Sequence, residues 1–120
     1  MDRLDELFRM QAAFDEEVAR RRHLAFDQAT WVQKEVLAMV SELAEILDEV
    51  SFKWWKDPKP LDKARLTEEL VDLLHFFLST CLKVGIGPDE LFEAYRAKNL
   101  ENFRRQRGES DRPGYHAPLS

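Results

Sequence analysis

Residues 62–84 read DKARLTEELVDLLHFFLSTCLKV, with no glycine or proline to interrupt them. Leu66, Leu70, Leu73, Leu74, Phe77, Leu78 and Cys81 recur at helical spacing, which predicts a helix from about Asp62 to Val84. Phe76, beside Phe77, widens the apolar surface beyond a single stripe. A helix apolar over most of its circumference needs cover on several sides. A chain of 120 residues offers limited cover, because roughly two-thirds of its unfolded surface can be buried at that size. At least a homodimer is therefore expected.

The pattern extends in both directions. Gly85 suits a left-handed helix C-cap, and Pro88 suits the first turn of a following helix with Leu91, Phe92, Tyr95 and Phe103 as its apolar side and Gly108 at its end. Upstream, KDPKP at 56–60 breaks the periodicity, since proline cannot continue a helix interior. Before it, Val32, Val36, Met39, Val40, Leu43, Leu47 and Val50 mark another helix. Thr30 and Gln33 have the spacing of a capping box, so that helix is expected to start at Thr30. A first helix is expected over about residues 2–22, with Leu4, Leu7, Phe8, Phe14 and Val18 on one side and Arg20, Arg21 and Arg22 where cations complement a helix C-terminus. No stretch alternates apolar and polar residues. The fold class is all-α, a four- to five-helix bundle. Residues 1–108 read as a single domain, and 109–120 as a tail of loop composition, either mobile or docked on a partner subunit.

The net charge is −5. An acidic protein lacks the broad positive field that attracts nucleic acid, so a duplex binder is not expected; a polyanionic substrate would need a local cation. Cys81 is the one cysteine, which excludes an intramolecular disulfide and reads as a buried inert thiol. The N-terminus MDRLDELFRM is charged and amphipathic, unlike a signal peptide, and the apolar runs are too short to span a bilayer. Membrane-surface helices are usually rich in Lys and Arg, which the acidic balance disfavours. A cytoplasmic location without a membrane partner is the expectation.

Glu42, Glu45 and Glu49 are spaced i, i+3, i+7 and share one helix face, largely opposite the apolar stripe, with the small residues Ala38 and Ser41 beside them. Glu69 and Asp72 repeat the i, i+3 spacing on the next helix. If the two helices pack antiparallel, both pairs converge. Two like charges about 4 Å apart repel by roughly 4 kcal/mol at an effective dielectric near 20, so such a cluster requires protonation or a cation. Oxygen-only ligation points to Mg²⁺ or Mn²⁺ and not to Zn²⁺, and His23, His75 and His116 are too scattered to compete. The ordinary alternative is solvation, since E-x-x-E arises by chance in many helices. Phe52-Lys53-Trp54-Trp55-Lys56 places two tryptophans and two lysines in a loop. There the rings either stack on a base or cap the bundle, and the lysines can meet phosphates. Lys98, Asn102 and Arg105 (or Gln106) share one face of the last helix. They suit a triphosphate tail, or simply complement the helix dipole.

Taken in order, Glu42-Leu-Ala-Glu45 through Phe52-Lys53-Trp-Trp55-Lys56, then Glu69-Leu-Val-Asp72-Leu-Leu-His75-Phe76, then Lys98-Asn99-Leu-Glu-Asn102-Phe-Arg-Arg105-Gln106 resemble the all-α, dimeric-type dUTPases. Those are grouped with the MazG-like nucleotide pyrophosphohydrolases. The resemblance covers about residues 8–108. It implies an oligomeric bundle of the all-α NTP pyrophosphatase type, a homodimer or a tetramer built from such dimers. Mg²⁺, with Mn²⁺ as a substitute, would be held by Glu42, Glu45, Glu69 and Asp72. Glu42 or Glu45, in the first instance Glu42, would orient the attacking water, and Glu49 falls at a commonly acidic position that can join the shell. The resemblance also implies phosphate contacts from Lys53, Lys98, Asn102 and Arg105, a base pocket at Gln11 with Asp15 beside it, and Trp55 along the base or sugar. His75 is either a partner of a metal-bound carboxylate or a core histidine. The implied reaction is dUTP hydrolysis to dUMP and pyrophosphate. The alternatives are a broader house-cleaning activity on dCTP or modified nucleotides, and a non-catalytic helical dimer that binds nucleotide or metal. The chain departs from the resemblance in lacking an inserted helical segment, in carrying Asp15 where some members have asparagine, and in the position of Gly114-Tyr115.

Overall fold

In the computed structural model residues 2–112 are described; Gly114, Tyr115 and His116 lie outside them. Four α-helices follow one another, α1 Arg3–Arg22, α2 Gln28–Glu49, α3 Lys63–Lys83 and α4 Pro88–Gln106. No strand occurs among the described residues, and no single helix there is long and apolar enough to cross a membrane. The all-α expectation holds.

The first three helices each start on an aspartate whose carboxylate accepts backbone N–H groups that the helix leaves without partners. Asp2 accepts from Asp5, completing a reciprocal capping box; Asp27 accepts from Thr30; Asp62 accepts from Ala64 and Arg65. The start of α2 therefore differs from the sequence expectation. Thr30 occupies the third helical position, and Asp27 three residues earlier is the cap, at 2.7 Å from the Thr30 amide. A hydrogen bond from the Thr30 hydroxyl, with this backbone one second to it, holds the Asp27 carboxyl below its usual range. Gly85 takes φ +79 just past α3, the left-handed conformation in which a missing Cβ matters, and Pro88 opens α4. Ser51, also left-handed at φ 52, turns the chain out of α2. Its Oγ accepts the Lys59 N–H at 3.2 Å, closing the loop that contains KDPKP.

The chain divides into two compact units, Met1–Ile86 and Gly87–Ser120. In the first, α3 packs against both α2 and α1. Phe8, Leu78 and Cys81 are buried apolar residues there, each full burial of a large apolar side chain contributing about 1.5–3 kcal/mol. Much of the expected apolar stripe is not inside. Val36, Val40, Leu43 and Leu47 on α2, and Leu70, Leu74 and Phe77 on α3, are exposed. The α2 face turned towards α3 instead carries glutamates. In the second unit, α4 has no buried residue.

Replacing Asp27 with alanine is expected to lower the melting temperature by several degrees, as loss of a helix cap does. If Thr30 were the cap, Asp27→Ala would leave the melting curve unchanged.

Candidate functional site

The register between α2 and α3 sets the site. Gln28 Nε2 donates to the Lys83 carbonyl at 3.1 Å, and Ser79 Oγ donates to Glu35 Oε1 at 2.8 Å. Seven residues further along α2, and seven back along α3, Glu42 meets Asp72. Advancing on one helix while retreating on the other is antiparallel packing, and two turns of α-helix separate the two levels by about 10 Å.

At the lower level one carboxylate oxygen each from Glu42, Glu69 and Asp72 lie within 4.8 Å of one another. Glu45 stands outside that trio but hydrogen-bonds Glu69 and Glu42 when one carboxyl of the pair carries a proton. The hydrogen bond with Glu45 is the chief cause that lifts the Glu69 carboxyl to about 7. Burial and the charges of Glu45, Glu42 and Asp72 add to it. Glu42 is raised chiefly by burial, then by Glu45 and the charge of Asp72, with Glu69 pulling the other way. Glu42 Oε2 and Glu69 Oε2 are buried and no hydrogen-bond donor reaches them. These orphaned oxygens and the all-oxygen donor set fit a hard divalent cation such as Mg²⁺ or Mn²⁺.

Glu49 belongs elsewhere. It is buried and lies 3.7 Å from both Lys59 Nζ and Arg65 Nε, where it ties the 51–62 loop to the start of α3. His75 does not partner a carboxylate of the trio. Its Nδ1 lies 2.6 Å from Gln11 Oε1, a carbonyl oxygen that can only accept, so Nδ1 carries the hydrogen.

A cavity of about 580 Å³ opens beside the trio. Glu42 and Asp72 lie at one side of it, followed by Gln11 and His75, then Asp15 and Glu35. Gln11 is 4% exposed and its Nε2 donates to Asp15 Oδ1 at 2.9 Å. Phe14 turns its ring to His75 at 6.4 Å between centroids. The family resemblance points to Gln11 and Asp15 here, whereas Trp31, Glu35, Ser79 and Lys83 emerge only from the structure. The signal that finds Glu35 and Ser79 is the seven-residue offset: Glu35 precedes Glu42 by two turns, as Ser79 follows Asp72, and Trp31 and Lys83 lie four residues further out on the same helices. Burial raises the Glu35 carboxyl, while the Ser79 hydroxyl and the Lys83 charge pull it down.

Within the first unit, Lys53 and Trp55 are not among the residues that line this cavity. Lys53 borders a separate cavity of about 340 Å³ with Asp48, Ser51 and Lys59, 4.0 Å from Asp48 Oδ1. Trp55 is 59% exposed and stacks edge-on against Trp54 at 4.6 Å. Lys98 and Asn102 are exposed on α4, and Arg105 on the same helix sits 3.8 Å from Glu101.

The raised Glu69 carboxyl sets a pH dependence, to be measured with a chelator in the buffer. The folded chain keeps this proton up to about 7, against about 4.5 for an unperturbed glutamate. Its contribution to stability is present below about 4.5 and lost as pH rises through about 7. The melting temperature should fall across that window, and Glu69→Gln should flatten the fall; an identical slope in both proteins would refute the assignment.

The comparisons with known proteins agree with this architecture. A family model described as dUTPase matches residues 3–90. The dCTP pyrophosphatase of Enterobacteria phage LZ5 is 34% identical over 74 residues, 62% of this chain and 43% of that protein. That of Enterobacteria phage T4 is 31% identical over 87 residues, 61% of this chain and 51% of that protein. The chain spans about half the length of these curated relatives. No solved structure matches significantly. The family match takes in α1, α2 and α3 with the entire carboxylate cluster, and the chain belongs to the all-α dUTPase family.

Proposed function

We propose that this chain is a Mg²⁺-dependent nucleoside triphosphate pyrophosphohydrolase acting on a pyrimidine deoxynucleotide, dUTP or dCTP. The observation that carries the reading is the cluster of Glu42, Glu45, Glu69 and Asp72 with its two orphaned buried oxygens, set at the side of a cavity whose walls combine polar groups with Phe14, Val18, Leu24, Trp31 and Phe76. Among the described residues no ion pair compensates these four carboxylates. The family and the relatives' names supply the substrate class. Glu42, Glu69 and Asp72 would hold the ion, with Mn²⁺ as a substitute. When bound, it supplies charge neutralisation on phosphate oxygens and acidifies water.

The remaining steps belong to the chain's own groups. Water attacks the α-phosphorus; a new P–O bond forms, the bond to the bridging oxygen of the β-phosphate breaks, and pyrophosphate leaves with that electron pair. Glu45, outside the trio and beside Glu69, accepts the water's proton, while Glu42 orients the water. Lys53, Lys98, Asn102 and Arg105 are the candidate phosphate contacts, and Trp55 the candidate cover for base or sugar. The cavity runs about 10 Å from the level of Glu42 to that of Glu35, comparable to the reach of a nucleotide from its α-phosphate to the far edge of its base. Gln11 and Asp15 then lie along the base.

The exposed file Val36, Val40, Leu43 and Leu47, with Leu70, Leu74 and Phe77, supports homodimerisation as the cover for these helices. Contiguous apolar surface of this kind marks an interface. The protein is proposed to act in the cytoplasm.

Purified protein with Mg²⁺ and a panel of deoxynucleoside triphosphates should release pyrophosphate from dUTP or dCTP; rates no faster than the blank would end the enzyme reading. Glu42→Gln should cut kcat by about a hundredfold or more, beyond the 10–100-fold typical of residues that only support a ligand, with the helical circular dichroism retained. Light scattering should give a dimer mass, and Val40→Glu with Leu43→Glu should shift it to that of a monomer.

A further inference from the structure

The cavity continues past Gln11 to a place where donors and acceptors do not balance. Ser79 Oγ has one hydrogen, yet it lies 2.8 Å from both Asp15 Oδ2 and Glu35 Oε1. Lys83 Nζ stands 3.2 Å from Ser79 Oγ, 3.3 Å from Asp15 Oδ2 and 3.8 Å from Glu35 Oε1. It is also held over the Trp31 ring at 4.4 Å. One ammonium therefore faces two carboxylates, and Gln11 Nε2 is already committed to Asp15 Oδ1.

The atom left over is Glu35 Oε2, buried and without a hydrogen-bond partner. Its side chain is 9% exposed and lines the cavity. A buried acceptor without a donor is costly, so its complement is an N–H delivered by the ligand. Pyrimidine bases differ at the position such a group would address. Cytosine carries an exocyclic amino group there, a donor; uracil carries a carbonyl, a further acceptor set against a carboxylate.

We infer that Glu35, fixed by Ser79 and Lys83, is a specificity-determining residue that accepts from the exocyclic amino group of cytosine and so selects dCTP over dUTP. Asp15 works beside it, holding Gln11 and Lys83 so that the far end of the cavity keeps its surplus of acceptors. This inference rests on the pyrophosphohydrolase reading for its substrate, but the base assignment can be measured without turnover.

The test compares kcat/KM for dCTP and dUTP in the wild-type protein and in Glu35→Gln, together with calorimetric binding of dCMP and dUMP to the wild type. The wild type should favour dCTP by about tenfold or more, each tenfold corresponding to about 1.4 kcal/mol, and should bind dCMP more tightly than dUMP. Glu35→Gln places an amide where the carboxylate was and should collapse or invert the ratio. Equal or better use of dUTP by the wild type overturns the inference, as does an unchanged ratio in a Glu35→Gln protein that melts like the wild type. If that variant does not fold, the wild-type dCMP-to-dUMP affinity ratio decides. If neither triphosphate is hydrolysed, the pyrophosphohydrolase reading falls, and the same affinity ratio still decides the base.

Discussion

Three glutamates in file along α2, Glu35, Glu42 and Glu49, are spaced two helical turns apart and turn towards α3, and how each negative charge is compensated organises the molecule. At one end Glu35 meets Ser79 and Lys83. At the other Glu49 meets Lys59 and Arg65. Both outer glutamates are buried and matched by cations of the same chain. The middle one is matched by three more carboxylates. Bringing charges of one sign together is unfavourable unless one is protonated or a cation joins them, and the chain tends to the first solution at Glu69, whose carboxyl rises to about 7. The α2–α3 contact is thus fully compensated at Glu49, partly compensated at Glu35, where Oε2 is left without a donor, and uncompensated at its centre.

The same constraint explains the sparse interior. A helix face occupied by carboxylates cannot also bury leucines, so the apolar residues of α2 point away, and Val36, Val40, Leu43 and Leu47 remain exposed. The function-bearing side faces α3, and the side that would ordinarily form a core is free to meet another surface. Stability and site compete for the same helix.

What could be read from the sequence followed from strong local signals. The periodicity of 62–84, the prolines at 58 and 60, Gly85 and Pro88 fix four helices to within a few residues, because those effects act over one or two turns. The start of α2 was misplaced because a capping-box pattern at Thr30 competed with the plainer cap Asp27, and sequence spacing does not say which geometry wins. The pairs Glu42/Glu45 and Glu69/Asp72 were legible as carboxylates at metal spacing. Their convergence was not, since it depends on the antiparallel register. The direction of the apolar stripe was also hidden: amphipathicity identifies two faces of a helix but not which one turns inward when a site claims one of them.

Asp15 illustrates where local reading stops. In sequence it is an acidic residue four positions after Gln11, and its partners are invisible. In the structure it receives Gln11 on one oxygen and the Ser79–Lys83 pair on the other, and through these it connects α1 to the α3 side of the cavity. An asparagine there would offer one carbonyl oxygen in place of two charged ones and would add an N–H facing Ser79 and Lys83, themselves donors. The cluster as it stands requires the second oxygen. Asp15, Glu35 and Lys83 therefore form one electrostatic unit whose net charge is negative, and the preference of the cavity's far end for a donor follows from that sum more than from any single contact.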